Sequence, residues 1–143
     1  MSQISAAWTL TPPSIGQIAR RTRTVTSEDI ERFTAMSGDR NPLHHDREAA
    51  ARSQFGEIVV QGGVTSAILN AVVAEDLPGP GTVFLHVDWN FTAPVRPGDT
   101  ITGEVEVLGV RQDKPVTKIR TRVVRGDGVV ALEGSAVCFT IPL

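Results

Sequence analysis

The chain has 143 residues and a formal net charge of −2, with 14 Lys and Arg against 16 Asp and Glu. This length suits one domain with its own core, and the scattered basic residues form no stripe of the kind that binds nucleic acid. Cys138 is the only cysteine, which rules out a disulfide within the chain and fits a reducing compartment, so we expect a cytoplasmic protein. No segment has the apolar length of a membrane span.

The first residues predict an arm rather than part of the core. Residues 1–14 are polar, include Pro12-Pro13, and carry Trp8, whose ring would pin the arm to the body. We assign this arm no chemistry and place a single domain over residues 15–143.

A helix is predicted after residues 15–25. Thr26 or Ser27 provides its N-cap, and Glu28 and Asp29 place acidic groups in the first turn, where they favour the helix dipole. Three apolar residues at helical spacing are expected to face the core: Ile30, Phe33 and Met36.

The segment Ser37–Asp46 concentrates an acid, a turn and an imidazole in ten consecutive residues. Gly38 permits backbone angles that other residues avoid, and Pro42 fixes one φ, so a compact turn is predicted. Such a turn brings Asp39 and His44 to the same side. A carboxylate and an imidazole facing one small volume can hold a water molecule and move its protons, which is general acid–base chemistry.

Two other interpretations of this segment compete with catalysis. Asn and Asp beside Gly and Pro are ordinary turn residues, and Asp46 is a typical N-cap for a short helix ending near Arg52. A metal site would use Asp39, His44, His45 and Asp46. Adjacent histidines project in different directions, however, and the sequence has no helical His-x-x-x-His pair and no Cys partner, so we predict no metal.

A second, almost entirely apolar helix is predicted from Gly62-Gly63 to about Glu75, after the extended run Ile58–Gln61. A helix without a polar face is typical of one that is wrapped on most sides. Its two leading glycines have two interpretations. They permit a sharp turn from strand to helix, or they offer unpaired N–H groups at the positive end of the dipole as an oxyanion hole.

The rest of the chain changes to the period-two alternation of strands. Strands are predicted over residues 83–91, 101–107, 119–123 and 129–141, with turns at Arg96–Asp99 and Gly126–Gly128. A buried helix followed by an antiparallel meander predicts an α+β domain in which the sheet curls around the helix.

The motif Ser37-Gly38-Asp39-x-Asn41-Pro42-Leu43-His44-x-Asp46 resembles the signature of the MaoC-like, (R)-specific enoyl-CoA hydratases, a family with the hot-dog fold. The likeness runs from about Ser14 to the C-terminus. The resemblance implies a single hot-dog domain with an overhanging catalytic segment, in which Asp39 and His44 activate water for syn addition to a trans-2-enoyl thioester. It also implies that Gly62 donates to the thioester oxygen, with no cofactor.

Two stretches of the chain depart from the pattern of that family. Many relatives carry His-Gly-Met where this chain has Gln61-Gly62-Gly63, and a hydroxyl residue where it has Asn70. The loss of a large side chain at Gly63 would open room for a longer or branched acyl chain. Asn70 or its rival Ser66 would support the catalytic carboxylate by hydrogen bonding, so the further candidates for substrate binding or support are Asn41, Gly63, Ser66 and Asn70.

The resemblance also sets the expected partners and the alternatives. It implies an acyl-CoA substrate and at least a homodimer, which an unpaired sheet edge also favours. The alternatives are a hot-dog acyl-CoA thioesterase and a non-catalytic acyl-CoA-binding subunit. The presence of both Asp39 and His44 argues against the last of these.

Overall fold

One antiparallel sheet organises the chain. The computed structural model describes residues 11–143, and the strands within them are β1 (Ile18–Thr24), β2 (Thr82–Phe91), β3 (Thr100–Val110), β4 (Val116–Arg125) and β5 (Val130–Thr140). Their order across the sheet is β1-β3-β4-β5-β2. The four strands predicted from alternation are confirmed. Trp8 and most of the predicted arm lie outside the described residues.

The helices of the described residues all precede β2 in the chain, and the last of them lies inside the curled sheet. They are α1 (Ser27–Ser37), α2 (Pro42–His45), α3 (Arg47–Arg52) and α4 (Gly62–Ala71), and α4 continues as a π-helical turn over Val72–Asp76. The predicted α+β class, with a curled sheet around a buried helix, is confirmed.

The core lies between α4 and the concave face of the sheet. Ile68, Leu69 and Val72 are at most 5% exposed, as are their partners in the strands, among them Ile101, Val105, Ile119 and Val123. Gly103 allows the close approach of the helix, because a Cβ there would lie only 2.8 Å from Ile68 Cγ2. Cys138 belongs to this core, and burial raises the pKa of its thiol to about 12.

The lead-in to the first helix is a strand, which the sequence pattern did not indicate. β1 pairs with β3 from Ile18↔Glu106 to Thr24↔Thr100. Most of its side chains are exposed, so it lacks the apolar alternation by which the other strands were predicted. It is an edge strand stabilised by polar cross-strand pairs, including Arg20 Nε to Glu104 Oε2 at 2.6 Å.

Helix α1 begins at the predicted cap, since Thr26 and Asp29 form a capping box. Ile30 is 3% exposed and Phe33 packs against the core, as predicted, but Met36 is 76% exposed. The prediction for Met36 was wrong because six residues at about 100° each turn it roughly 120° away from Ile30. The buried face instead continues to Thr34.

The segment after α1 is held by hydrogen bonds between near neighbours. Gly38, with φ of 80°, ends the helix, and its N–H donates to the Thr34 carbonyl. Asn41 Oδ1 accepts from the Leu43 N–H and starts α2. Asp46 Oδ1 accepts from two N–H groups and starts α3, as predicted. These bonds form the predicted compact turn.

Candidate active site

His44 has a fixed orientation because one ring nitrogen is anchored to the backbone. Nδ1 lies 2.6 Å from the carbonyl oxygen of Val59, and a carbonyl oxygen only accepts, so Nδ1 carries the proton of this bond. In the neutral ring, Nε2 therefore presents its lone pair. Nε2 faces Asp39 Oδ2 at 4.0 Å. The His44 side chain is 10% exposed and the Asp39 side chain 37%.

Asp39 is oriented by its own turn. Its Oδ1 accepts from the Asn41 N–H at 3.0 Å, so Oδ2 is the oxygen that faces His44. A separation of 4.0 Å is too long for a direct hydrogen bond and is suited to a bridging water molecule. The structure thus brings together the two residues predicted to form the dyad. Asn41 shapes this turn, both through its N–H and as the cap of α2.

Gly62 shares a cavity of about 470 Å³ with His44. Among the described residues, neither Gly62 nor Gly63 donates its N–H to an acceptor, as expected in the first turn of a helix. The cavity wall is mainly apolar and includes Leu43, Phe55, Val59, Val60, Phe91, Pro94 and Val95. Asp39 is not part of this wall and reaches the site through its contact with His44.

A second cavity, of about 560 Å³, is also lined by His44. Its wall is more polar and includes Glu31, His45, Arg47 and Arg96. Arg96 Nε is paired with Glu57 Oε1 at 2.5 Å. His44 therefore lines both a mainly apolar cavity and a more polar one.

Three of the further candidates lie elsewhere. Gly63, Ser66 and Asn70 line a groove of about 420 Å³ between α1 and α4, and none of them lines the cavity of His44 and Gly62. Ser66 Oγ donates to the Gly63 carbonyl rather than to a carboxylate. A role for Ser66 and Asn70 in substrate binding stays a prediction that this geometry does not favour.

The space beside Gly63 is not open. A Cβ at this position would lie 2.1 Å from Phe33 Cε2 and 2.2 Å from Phe33 Cζ. The expectation that Gly63 enlarges the acyl pocket was therefore wrong, because the ring of Phe33 on α1 fills the volume that a larger residue at 63 would occupy. Gly63 and Phe33 are complementary parts of one helix contact.

Sequence reasoning missed several groups around the site. The carbonyl of Val59 orients His44, and no sequence signal marks a backbone acceptor of this kind. Phe91 at the end of β2 covers Gly62, with Cε1 3.2 Å from the position of a Cβ there. Thr34 and Gln61 are 4% and 2% exposed and hydrogen bonded to each other. Thr34 could have been identified from the sequence, because it is a polar residue on the core-facing side of α1.

Residues 11–143 contain no group of three or more His, Cys, Asp or Glu placed to hold a metal ion. None of the helices described has the length and apolar character needed to cross a membrane.

A curled sheet around one buried helix defines a hot-dog domain, and in this one His44 lies beside Asp39 and lines the same cavity as Gly62. A model of the MaoC like domain matches residues 11–127. The chain belongs to the MaoC-like family.

Named relatives agree on one class of reaction. The chain is 36% identical over 123 residues to the (R)-specific enoyl-CoA hydratase of Aeromonas caviae, covering 86% of this chain and 92% of that one. It is 37% identical over 113 residues to the 3-hydroxybutyryl-CoA dehydratase of Methylorubrum extorquens, covering 79% and 71%. A solved (R)-hydratase structure from Aeromonas caviae superposes with a TM-score of 0.85 at 34% identity, covering 90% and 98%. Hydratases and dehydratases of this kind are hydro-lyases.

Proposed function

We propose that the protein is an (R)-specific enoyl-CoA hydratase, which adds water to a trans-2-enoyl thioester and in reverse dehydrates a 3-hydroxyacyl-CoA. One observation carries this proposal. His44, whose Nε2 faces Asp39, lines the same apolar cavity as Gly62, which lies at the end of α4 where the first N–H groups have no acceptor among the described residues. Hydration needs those parts: a site for water, an acid–base group and donors for the thioester oxygen.

The water molecule sits between Asp39 Oδ2 and His44 Nε2 and donates one hydrogen to each. Both acceptors are available, because Asp39 Oδ1 and His44 Nδ1 already have other partners. The oxygen lone pairs of the water then point away from the dyad and toward the substrate.

Asp39 takes a proton from the water as its oxygen forms a bond to the β-carbon. The electrons of the C=C bond move into the enolate, whose oxygen accepts from the Gly62 N–H at the start of α4. Asp39 then returns the proton to the α-carbon, so both new bonds form on the same face. His44 holds and polarises the water, and the two groups titrate as a coupled pair.

The acyl chain occupies the apolar cavity formed by Leu43, Val59, Phe91 and their neighbours. We propose coenzyme A as the carrier, because the hydratase of Aeromonas caviae and the dehydratase of Methylorubrum extorquens are named for CoA thioesters.

We also propose a homodimer formed through β2. This edge strand of the sheet has four exposed apolar side chains, Val83, Leu85, Val87 and Phe91, whereas the opposite edge, β1, carries three arginines. An apolar, unpaired edge favours pairing and a charged one opposes it. Two copies joined at β2 would share one continuous sheet, and the end of β2 that carries Phe91 lines the active-site cavity. The cytoplasm remains the predicted location.

Conversion of crotonyl-CoA tests the function. The wild-type protein is expected to remove the enoyl absorbance and form (R)-3-hydroxybutyryl-CoA. Asp39→Asn keeps the shape of the side chain but removes the base, so we expect a loss of about 10²–10⁴-fold in kcat with an unchanged melting temperature. Release of free thiol from an acyl-CoA, without hydration, would instead identify a thioesterase. Near-wild-type hydration by Asp39→Asn would refute the role of Asp39.

A further inference from the structure

The hydroxyl of Thr34 lies where the catalytic turn, α2 and the start of α4 meet. Thr34 Oγ1 is 2.8 Å from the Asp39 carbonyl oxygen, 2.8 Å from His45 Nε2 and 3.1 Å from Gln61 Nε2. Three partners saturate a hydroxyl group, which has one proton to donate and two lone pairs.

The direction of each of these bonds follows from chemistry. The Asp39 carbonyl only accepts, so it takes the single proton of the Thr34 hydroxyl. The Gln61 Nε2 amide only donates, so it fills one lone pair. His45 must then donate through Nε2–H to the other. The second ring nitrogen of His45, Nδ1, faces Glu31 Oε1 at 3.5 Å.

The bonds link the two halves of the proposed active site. Asp39 is the base of the proposed dyad, and its N–H donates separately to Ser37 Oγ. Gln61 directly precedes Gly62, and its Nε2 also donates to the Ile30 carbonyl at 3.2 Å. A continuous path of hydrogen bonds therefore runs from the base, through Thr34, to the residue before the oxyanion donor.

We propose that Thr34 is a positioning residue, whose hydroxyl sets the placement of Asp39 relative to Gly62 through Gln61. This inference deepens the proposed hydratase function and rests on it. Thr34 is 4% exposed and lies outside the cavity wall, so it acts on the reaction through Asp39 and not through the substrate. Gln61 has the matching role on the side of α4.

The test compares Thr34→Val, which has nearly the same shape but no hydroxyl, with Thr34→Ser, which retains the hydroxyl. With crotonyl-CoA, Thr34→Val is expected to lower kcat by roughly 10- to 100-fold while KM changes by less than about threefold, because misplaced groups cost rate rather than affinity. Thr34→Ser is expected to restore kcat to within about threefold of wild type.

Thr121→Val is the matched control. Thr121 is fully buried on β4, and its Oγ1 has no hydrogen-bond partner in the part of the chain that the structure describes. The same substitution there should leave kcat unchanged. Equal losses in Thr34→Val and Thr121→Val would overturn the proposal, because they would reflect a general effect of removing a buried hydroxyl.

Hydrogen–deuterium exchange over residues 37–46 provides a readout independent of turnover. Thr34→Val is expected to speed exchange in this segment, and Thr34→Ser to leave it as in wild type. If the wild type does not hydrate crotonyl-CoA but this exchange pattern holds, the hydratase function fails and the positioning role of Thr34 stands. Unchanged exchange in folded Thr34→Val would overturn the positioning role, whatever the activity.

Gln61→Met keeps the proposal testable if Thr34→Val does not fold. Methionine has a similar length but no amide donor, and it leaves the bond between Thr34 and Asp39 intact. A fall in kcat at constant KM, with faster exchange in residues 37–46, would support the path through Gln61. Wild-type kcat and exchange in this variant would overturn it.

Discussion

Replacing Gly63 by alanine is expected to destabilise the protein, although alanine is the better helix former. The new Cβ would lie 2.1 Å from Phe33 Cε2, whereas unstrained carbon atoms stay about 3.5–4.0 Å apart. The ring must therefore move by more than about 1 Å, and overpacking of this kind costs about 1–3 kcal/mol. Alanine returns about 0.5–1 kcal/mol through helix propensity. The net expectation is a loss of about 1 kcal/mol in the free energy of unfolding.

The sign should reverse when the ring is absent. In a Phe33→Ala background the added methyl group meets no ring, so Gly63→Ala should stabilise by about 0.5–1 kcal/mol. The coupling energy between the two positions is then about 2 kcal/mol.

Urea denaturation of the wild type, both single variants and the double variant measures this coupling. Free energies that add to within about 0.5 kcal/mol would refute the reasoning, because they would mean that the ring does not occupy the space beside Gly63.

Two further predictions concern the dimer and the effect of acid. Leu85→Glu on β2 is expected to give a monomer in analytical ultracentrifugation, while Leu108→Glu, at another exposed apolar position on β3, should remain dimeric; a dimeric Leu85→Glu would count against pairing through β2. The hydrogen bond from the Arg125 guanidinium, followed by that from the Val129 N–H, lowers the pKa of Asp127 from its ordinary 3.8 to about 2. A depressed carboxyl pKa stabilises the fold above pH 3.8, and this contribution is lost as the pH falls to about 2. Asp127→Asn should therefore have a lower free energy of unfolding at pH 7 and a flatter profile between these pH values; identical profiles would contradict it.

Local chemistry made the turn segment Ser37–Asp46 predictable. Gly38, Asn41 and Asp46 act on groups two to four residues away, and bonds of this range depend only on neighbouring residues. The turn and the contact of Asp39 with His44 could therefore be predicted together. Alternation likewise predicted β2 to β5. In β3, β4 and β5 one face meets the core and the other does not, whereas in β2 the alternating apolar side chains of Val83, Leu85 and Val87 are exposed.

Long-range packing decided what the sequence left open. β1 pairs with residues about 80 positions away, so its polar sequence carries no local signal of a strand. The space beside Gly63 was likewise not predictable from local sequence. It is filled by the ring of Phe33, which lies thirty residues earlier in the chain.

The sequence by itself determined the curled sheet around an apolar helix, the capped turn and the pairing of Asp39 with His44, since each follows from periodicity or from short-range hydrogen bonds. Only the tertiary structure decided which acceptor orients His44, which cavity holds Gly62, and how Thr34 joins the dyad to α4. These contacts bring together residues 15 to 31 positions apart. Their geometry is fixed by the packing of α1 and α4, and no local pattern encodes it.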